Sequence, residues 1–370
     1  MDKAYLYEDM KNYPSKLTSF ERSEKYFNGE VVDHLPFDIP SFEFAYGNSL
    51  GYTLADMRRI EVLSELIKVR IEKYGINGIG VAPTLKDFGK SMGSIIAYPE
   101  NQPEYVEKYV LANEIDLSLL DTYEMDKNPV FLELIDRARV LKKKFPDEEI
   151  STHIDGPITL ASGIRPMEKL LRDFRKDPEN LDKLFSLAVD LNISWVKLFV
   201  KNFGKVSVSI ADPIASNDVL SPRQFEKFYF KHFKRMIDEI FEITSKKPSM
   251  HICGHTKAIW KFLKELPISS FSIDNLEDLS EAKEILGDKM TIAGNVDPVE
   301  VMNNGSIDDV IEAVRSCIDK AADNKCGYIV FTGCDIPITT PMENIDAFVY
   351  AIRKYSRNAQ LGKISQANRE

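Results

Sequence analysis

One alternation runs along most of the chain: a short apolar segment, a polar or glycine-containing turn, and an amphipathic helical pattern. Seven segments have the length and apolar content of buried strands: 78–83 (GIGVAP), 151–156 (STHIDG), 206–212 (VSVSIAD), 249–254 (SMHICG), 270–275 (SFSIDN), 291–297 (TIAGNVD) and 328–334 (YIVFTGC). Helical patterns occur between and after them, at 181–202, 222–244, 256–266, 279–286, 307–322 and 342–356. Strands that alternate with helices favour a parallel sheet with right-handed crossover connections.

The sheet can be open or closed, and the sequence favours closure. An open, doubly wound sheet usually carries a glycine-rich phosphate loop, and neither G-x-G-x-x-G nor a Walker A sequence occurs. Seven strand–helix units, with an eighth strand near 35–39, suit a (β/α)8 barrel better. We therefore predict an α/β fold, a (β/α)8 TIM barrel, as a single domain over 1–370. Residues 1–75 would form an N-terminal helical extension with the first strand, and residues 84–148 a helical insertion.

Composition narrows the classes of function. Lysine and arginine number 48 against 58 aspartates and glutamates, a net charge of −10 that argues against a broad nucleic-acid surface. No apolar stretch reaches the roughly 18 residues of a membrane span, and the polar N-terminus does not resemble a signal peptide. Four cysteines in 370 residues do not suggest a disulfide framework. We expect a cytoplasmic protein with no nucleic-acid or membrane partner.

Metal-binding side chains lie where the predicted strands end. His251 and Cys253 are two residues apart on one strand, so they point to the same face. Cys334 ends the last strand, and the carboxyl ends of barrel strands meet at one face. Two thiolates and an imidazole suit Zn²⁺, and three protein ligands leave the open position typical of catalytic zinc. His255 is an alternative fourth ligand, although its place beside the turn directs it elsewhere.

A cysteine near a strand end can also be a small buried apolar side chain without any metal. We interpret Cys317 and Cys326 in this way, because Cys317 lies on the apolar face of a helical pattern and Cys326 lies where that helix ends. The three-residue set therefore predicts one metal site and two structural cysteines.

The ordered motifs resemble the zinc-dependent methylcobalamin:coenzyme M methyltransferases, which share the uroporphyrinogen decarboxylase fold. The order H-x-C…G-C-D-I-P…T-P-x-E-N-I carries the resemblance, together with 17–36 (LTSFERSEKYFNGEVVDHLP), 153–161 (HIDGPITLA), 210–225 (IADPIASNDVLSPRQF), 293–298 (AGNVDP) and 331–345 (FTGCDIPITTPMENI). The resemblance implies that Zn²⁺ on His251, Cys253 and Cys334 activates a small-molecule thiol acceptor such as coenzyme M. A methylated corrinoid (methylcobalamin) would supply the methyl group, carried by a separate corrinoid protein.

The resemblance also directs attention to three polar residues at other strand ends. Asp212 would lie beside the metal as a fourth ligand, a partner of His251 or a proton acceptor, or it would only cap the turn before Pro213. Asn295 and Asp297, in the G-N-V-D-P loop, would contact the substrate or cofactor, or would only cap the next helix.

Three other functions compete with this one. Uroporphyrinogen decarboxylase needs a basic cleft for its carboxylated substrate, whereas 35–47 (LPFDIPSFEFAYG) has no Arg or Lys. A methyltransferase of the same superfamily would instead use a methoxy or methylamine donor, or a tetrahydrofolate acceptor. A non-catalytic corrinoid-binding or zinc-storage protein would need a closed metal site with a fourth protein ligand.

Overall fold

The computed structural model describes residues 1–100, 102–121 and 124–368. Within these ranges the strands are β1 (Ile79–Gly80), β2 (Ile95–Ala97), β3 (Tyr105–Lys108), β4 (Ile150–Asp155), β5 (Ser207–Ala211), β6 (Ser249–His251), β7 (Ser270–Ser272), β8 (Thr291–Val296) and β9 (Tyr328–Thr332). The α-helices are α1 (Lys3–Met10), α2 (Ser19–Phe27), α3 (Phe42–Ser49), α4 (Leu54–Met57), α5 (Ile60–Val69), α6 (Leu85–Ser91), α7 (Pro129–Lys144), α8 (Pro157–Ala161), α9 (Met167–Lys176), α10 (Pro178–Phe203), α11 (Pro222–Gln224), α12 (Phe230–Thr244), α13 (Trp260–Leu263), α14 (Leu279–Leu286), α15 (Ile307–Ala321) and α16 (Met342–Tyr355).

The chain forms two compact units. One comprises Met1–Asn77, Cys253–Lys257 and Ser270–Glu370 and includes β7 to β9. The other comprises Gly78–Ile252 and Ala258–Ser269 and includes β1 to β6.

The unit with β1 to β6 contains four parallel strands and a separate hairpin. Strand β4 pairs with β1 and β5, and β5 pairs with β6, all in parallel. Burial alternates along β4 and β5, and the longest helix, α10, covers β4 through Trp195, whose indole N–H donates to the Thr152 hydroxyl at 2.9 Å. The hairpin of β2 and β3 is antiparallel and lies inside residues 84–148. That segment contains the helices α6 and α7, and it also contains two strands that the sequence analysis did not identify.

The unit with β7 to β9 contains three parallel strands and the predicted eighth strand in reduced form. Strand β8 pairs with β7 and β9 in parallel. Phe37 forms a single parallel bridge with Val330 of β9, in which the Val330 N–H donates to the Pro36 carbonyl at 2.9 Å. Within each unit the strands outside the β2–β3 hairpin thus pair in parallel and in chain order, as the predicted barrel requires.

Local sequence sets many helix starts. A Thr or Ser hydroxyl and an acidic or amide side chain three residues later satisfy each other's backbone N–H groups in capping boxes at α2, α4, α6, α11 and α15. Proline occupies the first turn of α7, α8, α10 and α11, where its missing N–H costs no hydrogen bond. These local signals account for where these helices begin.

The N-terminal helices are fixed to α16 by a buried carboxylate. Asp346 accepts hydrogen bonds from the hydroxyls of Tyr7 and Tyr74, each at 2.8 Å, and pairs with the Lys73 ammonium at 2.8 Å. Burial and the Asp346 charge raise the pKa of Tyr7 and Tyr74 above the usual tyrosine value. Both hydroxyls therefore stay protonated and act as donors, which ties the helical extension to the unit with β7 to β9.

Helices that could cross a membrane are absent from the described part of the chain, since none there is both long enough and apolar enough.

Candidate metal centre

Three predicted ligands lie together at the ends of β6 and β9. The Sγ atoms of Cys253 and Cys334 are 3.7 Å apart. The ligand atoms of His251, Cys253 and Cys334 all lie within 4.8 Å of one another. Two sulfurs bound to tetrahedral zinc at about 2.3 Å would be about 3.8 Å apart. The two thiols are thus already at the separation that a shared zinc ion requires.

The chain directs these side chains through two short turns. His251 is the last residue of β6, and Cys253 follows it by two residues with buried Ile252 between them. Gly254 then turns the chain with a φ of +72°, in the region that favours glycine. Cys334 follows β9 by two residues, and the Thr332 hydroxyl donates to the Cys334 carbonyl at 2.6 Å. Both cysteines are half-buried.

The protonation of the two thiols depends on whether a metal ion is bound. The hydrogen bond between the two thiols, and then burial, raise the pKa of Cys253 well above its usual value. Without a metal the Cys253 thiol therefore keeps its proton at neutral pH. A divalent cation would replace that proton, because only the thiolate is a metal ligand. The soft S₂N donor set and the sulfur spacing both fit Zn²⁺.

The other histidine and cysteine residues lie outside this group. His255 is exposed and is not among the clustered donors found in residues 1–100, 102–121 and 124–368. Cys317 is buried, and that burial raises the pKa of its thiol. Cys326 accepts a hydrogen bond at its carbonyl from the Thr291 hydroxyl at 2.7 Å. The structural roles of Cys317 and Cys326 stay predictions.

Asp212 is fully buried next to the strand that carries His251. Its backbone N–H donates to the His251 carbonyl at 3.0 Å. One carboxylate oxygen accepts from the Thr159 hydroxyl at 2.6 Å, and the other contacts the Tyr229 hydroxyl. Gly156 is required here, because a Cβ at that position would collide with the Asp212 carboxylate. Burial raises the pKa of Asp212 to about 7.

Both oxygens of Asp212 already have protein partners, and Asp212 does not join the described donor group. Its role as a ligand, a His251 partner or a proton acceptor stays a prediction. Thr159 lies in the segment 153–161 (HIDGPITLA) that carries part of the resemblance, so the sequence held a signal for it. Tyr229 lies on a helical stretch with no distinguishing motif, and sequence reasoning missed it.

Asn295 and Asp297 support neighbouring loops. The Asn295 amide donates to the carbonyls of Asp274 at 3.1 Å and Glu277 at 2.9 Å. Asp297 accepts from the N–H groups of Val299 and Glu300, each at 2.8 Å, which caps the next helical turn. The capping alternative is therefore seen for Asp297, while contact of either residue with a cofactor stays a prediction.

The half-buried carboxylate of Asp155 predicts a pH dependence of stability. Burial raises the pKa of Asp155 from 3.8 to about 6. A hydrogen bond that the Leu85 N–H donates to this carboxylate at 2.8 Å acts in the opposite direction, but its effect is smaller. A carboxyl group with a raised pKa holds its proton more tightly in the folded state, so the unfolding free energy falls as pH rises from about 4 to 6. Because asparagine does not ionise, we expect the unfolding free energy of Asp155→Asn to fall by about 2–3 kcal/mol less than that of the wild type over this pH range. Urea unfolding at pH 4 to 8 measures it, and parallel curves for variant and wild type would contradict the assignment.

Parallel strands in chain order, with a cluster of two cysteines and a histidine at strand ends, define a barrel protein with a candidate metal centre. The sequence family described as uroporphyrinogen decarboxylase (URO-D) matches residues 18–355. The chain therefore belongs to the uroporphyrinogen decarboxylase family.

Methyltransferases are among the proteins similar to this chain. The methylcobamide:CoM methyltransferase MtaA of Methanosarcina barkeri is 25% identical over 299 residues, 80% of this chain and 85% of that protein. A methylated-thiol–coenzyme M methyltransferase of Methanosarcina mazei is 29% identical over 232 residues, 62% of this chain and 59% of that protein. The solved structure of a methyltransferase from Methanosarcina mazei has a TM-score of 0.73 at 22% identity, covering 91% of this chain and 98% of that one. The predicted resemblance and the predicted (β/α)8 barrel with its helical extension are confirmed.

Proposed function

We propose that this protein is a zinc-dependent corrinoid methyltransferase that moves a methyl group from a methylated corrinoid to a thiol acceptor such as coenzyme M. The 3.7 Å separation of the Cys253 and Cys334 sulfurs carries the proposal, because it matches shared zinc coordination. The methyltransferase relatives support the chemistry.

In this proposal His251, Cys253 and Cys334 hold zinc and leave one position open. Zinc would supply deprotonation of the acceptor thiol, which is only a few per cent thiolate at neutral pH when free. Cys253 and Cys334, as thiolates, would balance the charge of the ion, so that a third thiolate keeps its nucleophilicity. Asp212 is the proposed proton acceptor, since a carboxyl group with a pKa of about 7 exchanges protons at neutral pH.

The methyl donor is proposed to be methylcobalamin or a corrinoid protein, in the cytoplasm. The thiolate would attack the methyl carbon in line with the carbon–cobalt bond, whose electron pair stays on cobalt. The barrel contributes placement, since displacement requires sulfur, carbon and cobalt to be aligned. Asn295 and Asp297 are proposed to stabilise the loops that face the incoming cofactor.

The second candidate is a methyltransferase with a different donor or acceptor. The relative from Methanosarcina mazei is named for a methylated thiol. A methylated thiol is therefore a possible donor beside the methoxy and methylamine compounds. A tetrahydrofolate acceptor would place no sulfur on the metal. The number of sulfurs around zinc therefore separates a thiol acceptor from the other acceptors.

X-ray absorption at the zinc edge tests the thiol-acceptor proposal. We expect one zinc per chain with two sulfurs in the purified protein, and a third sulfur after addition of coenzyme M or homocysteine. Ethanesulfonate, which is coenzyme M without its thiol, is the matched control and is expected to leave the sulfur count at two. A shell that no thiol changes would contradict the proposal and favour the methoxy, methylamine or folate reactions.

A further inference from the structure

The loop that follows β7 touches both cysteine-bearing turns. Asp274 is only 6% exposed, and one of its carboxylate oxygens accepts a hydrogen bond from the Gly254 N–H at 2.8 Å. That N–H belongs to the peptide bond that joins Cys253 to Gly254. The other oxygen accepts from the Leu276 N–H at 2.9 Å, which folds the loop back on itself. Asp274 therefore links its own loop directly to the backbone of Cys253.

The next residue of the loop fixes the other turn. Asn275 packs against Gly333, the residue before Cys334, so closely that a Cβ at Gly333 would collide with the Asn275 backbone nitrogen. The Asn275 amide donates to the Asp297 carboxylate at 2.9 Å. The backbones before Cys334 and after Cys253 thus rest on adjacent residues of one loop. This arrangement accounts for the spacing of the two sulfurs without a metal.

The loop itself is rigidly held. The Asn295 amide bonds the carbonyls of Asp274 and Glu277, and the Glu277 carboxylate accepts from the Lys257 N–H at 2.7 Å. Asp274 also places a buried carboxylate beside the backbone of Cys253. A negative charge at this position would stabilise a cation bound at the two thiolates.

We propose that Asp274 is a positioning residue of the metal centre, which holds the Cys253 turn against Cys334 through the Gly254 N–H and strengthens zinc binding by its charge. The proposal rests on the proposed function, because it concerns the same zinc. Carboxylates that orient metal ligands from outside the coordination sphere typically contribute 10–100-fold to metal affinity.

Two substitutions separate the two contributions of Asp274. Asp274→Asn keeps an oxygen that can accept from Gly254 and removes the charge, so we expect zinc affinity to fall about 10-fold. Asp274→Ala removes both contributions, so we expect a fall of about 100-fold. Asp278→Asn is the matched control, because Asp278 is an exposed aspartate near the same loop that caps α14 at the Glu281 N–H. Its affinity is expected to stay within twofold of the wild type.

Competition with a chelator measures the zinc dissociation constant, and the absorption of the Co²⁺-substituted protein reports the arrangement of the sulfurs. Thermal unfolding of the metal-free proteins shows whether the variants fold like the wild type. Zinc affinity of Asp274→Asn and Asp274→Ala equal to that of wild type would overturn the positioning role alone. A wild-type protein that binds no zinc would overturn the proposed function and this inference together.

Discussion

Replacing Cys253 or Cys334 by serine is expected to abolish stable zinc binding. Each change removes one of two sulfurs that lie 3.7 Å apart and substitutes a hydroxyl, which is a poor zinc ligand. Because loss of an orienting group outside the coordination sphere already costs 10–100-fold, loss of a direct ligand is expected to cost more than about 100-fold in affinity. Elemental analysis after dialysis is expected to show zinc in the wild type and almost none in either variant.

The chain provides its own controls for this result. Cys317→Ser and Cys326→Ser change the same atom at positions outside the donor group, and zinc content is expected to be unchanged. Cys317 is buried, so its serine variant tests whether general destabilisation alone releases metal. If both Cys253→Ser and Cys334→Ser kept a full zinc content, the metal would have to bind elsewhere.

The grouping of His251, Cys253 and Cys334 was predictable because it depends on regular geometry. The period of a strand predicts one face for His251, the last residue of β6, and for Cys253 two residues further on, and parallel strands bring their carboxyl ends to one side of a sheet. Cys334 was recognisable because it follows β9, a strongly apolar strand. These three positions needed only the period of a strand and the direction of a sheet.

The supports of the cluster were not predictable from those rules. Asp274 lies near the end of the predicted strand 270–275 (SFSIDN), but its bond to the Gly254 N–H depends on the paths of two separate loops. Tyr229 reaches Asp212 from a helix, and the helical pattern does not indicate which face meets a buried carboxylate. Such contacts depend on side-chain reach and loop path, and no local period encodes these.

The fold departs from prediction where local signals are weak. The predicted eighth strand near 35–39 is reduced to the Phe37 bridge. Pro36 and Pro40 on either side of it lack the N–H that a longer ladder needs. The helical pattern at 256–266 begins as a 3₁₀ turn at Lys257–Ile259 and continues as α13 from Trp260, and the Glu277 carboxylate accepts from the N–H groups of Thr256 and Lys257 at its start. The prolines shorten the strand, whereas the helix keeps its predicted place with a tighter first turn.

Removing the metal is expected to lower methyl transfer from methylcobalamin to coenzyme M at least about 100-fold at pH 7. A free thiol with a pKa near 8.5 is only a few per cent ionised there, which alone accounts for a factor of about 30. Loss of the fixed sulfur position removes a further advantage of placement. The absorbance change of methylcobalamin on demethylation measures the rate, before and after chelation and after zinc is returned.

The pH profile distinguishes thiol activation from a metal that only stabilises the fold. With zinc bound, the rate is expected to be nearly constant from pH 7 to 9, because the acceptor is already a thiolate. Without zinc, the residual rate is expected to rise about tenfold per pH unit until the pH nears the thiol pKa, following ionisation of the free thiol. A metal-free protein that keeps its unfolding midpoint and transfers methyl groups as fast as the zinc-loaded protein would remove zinc from the reaction. Recovery of the flat profile on adding one zinc per chain would assign the activation to the His251, Cys253 and Cys334 cluster.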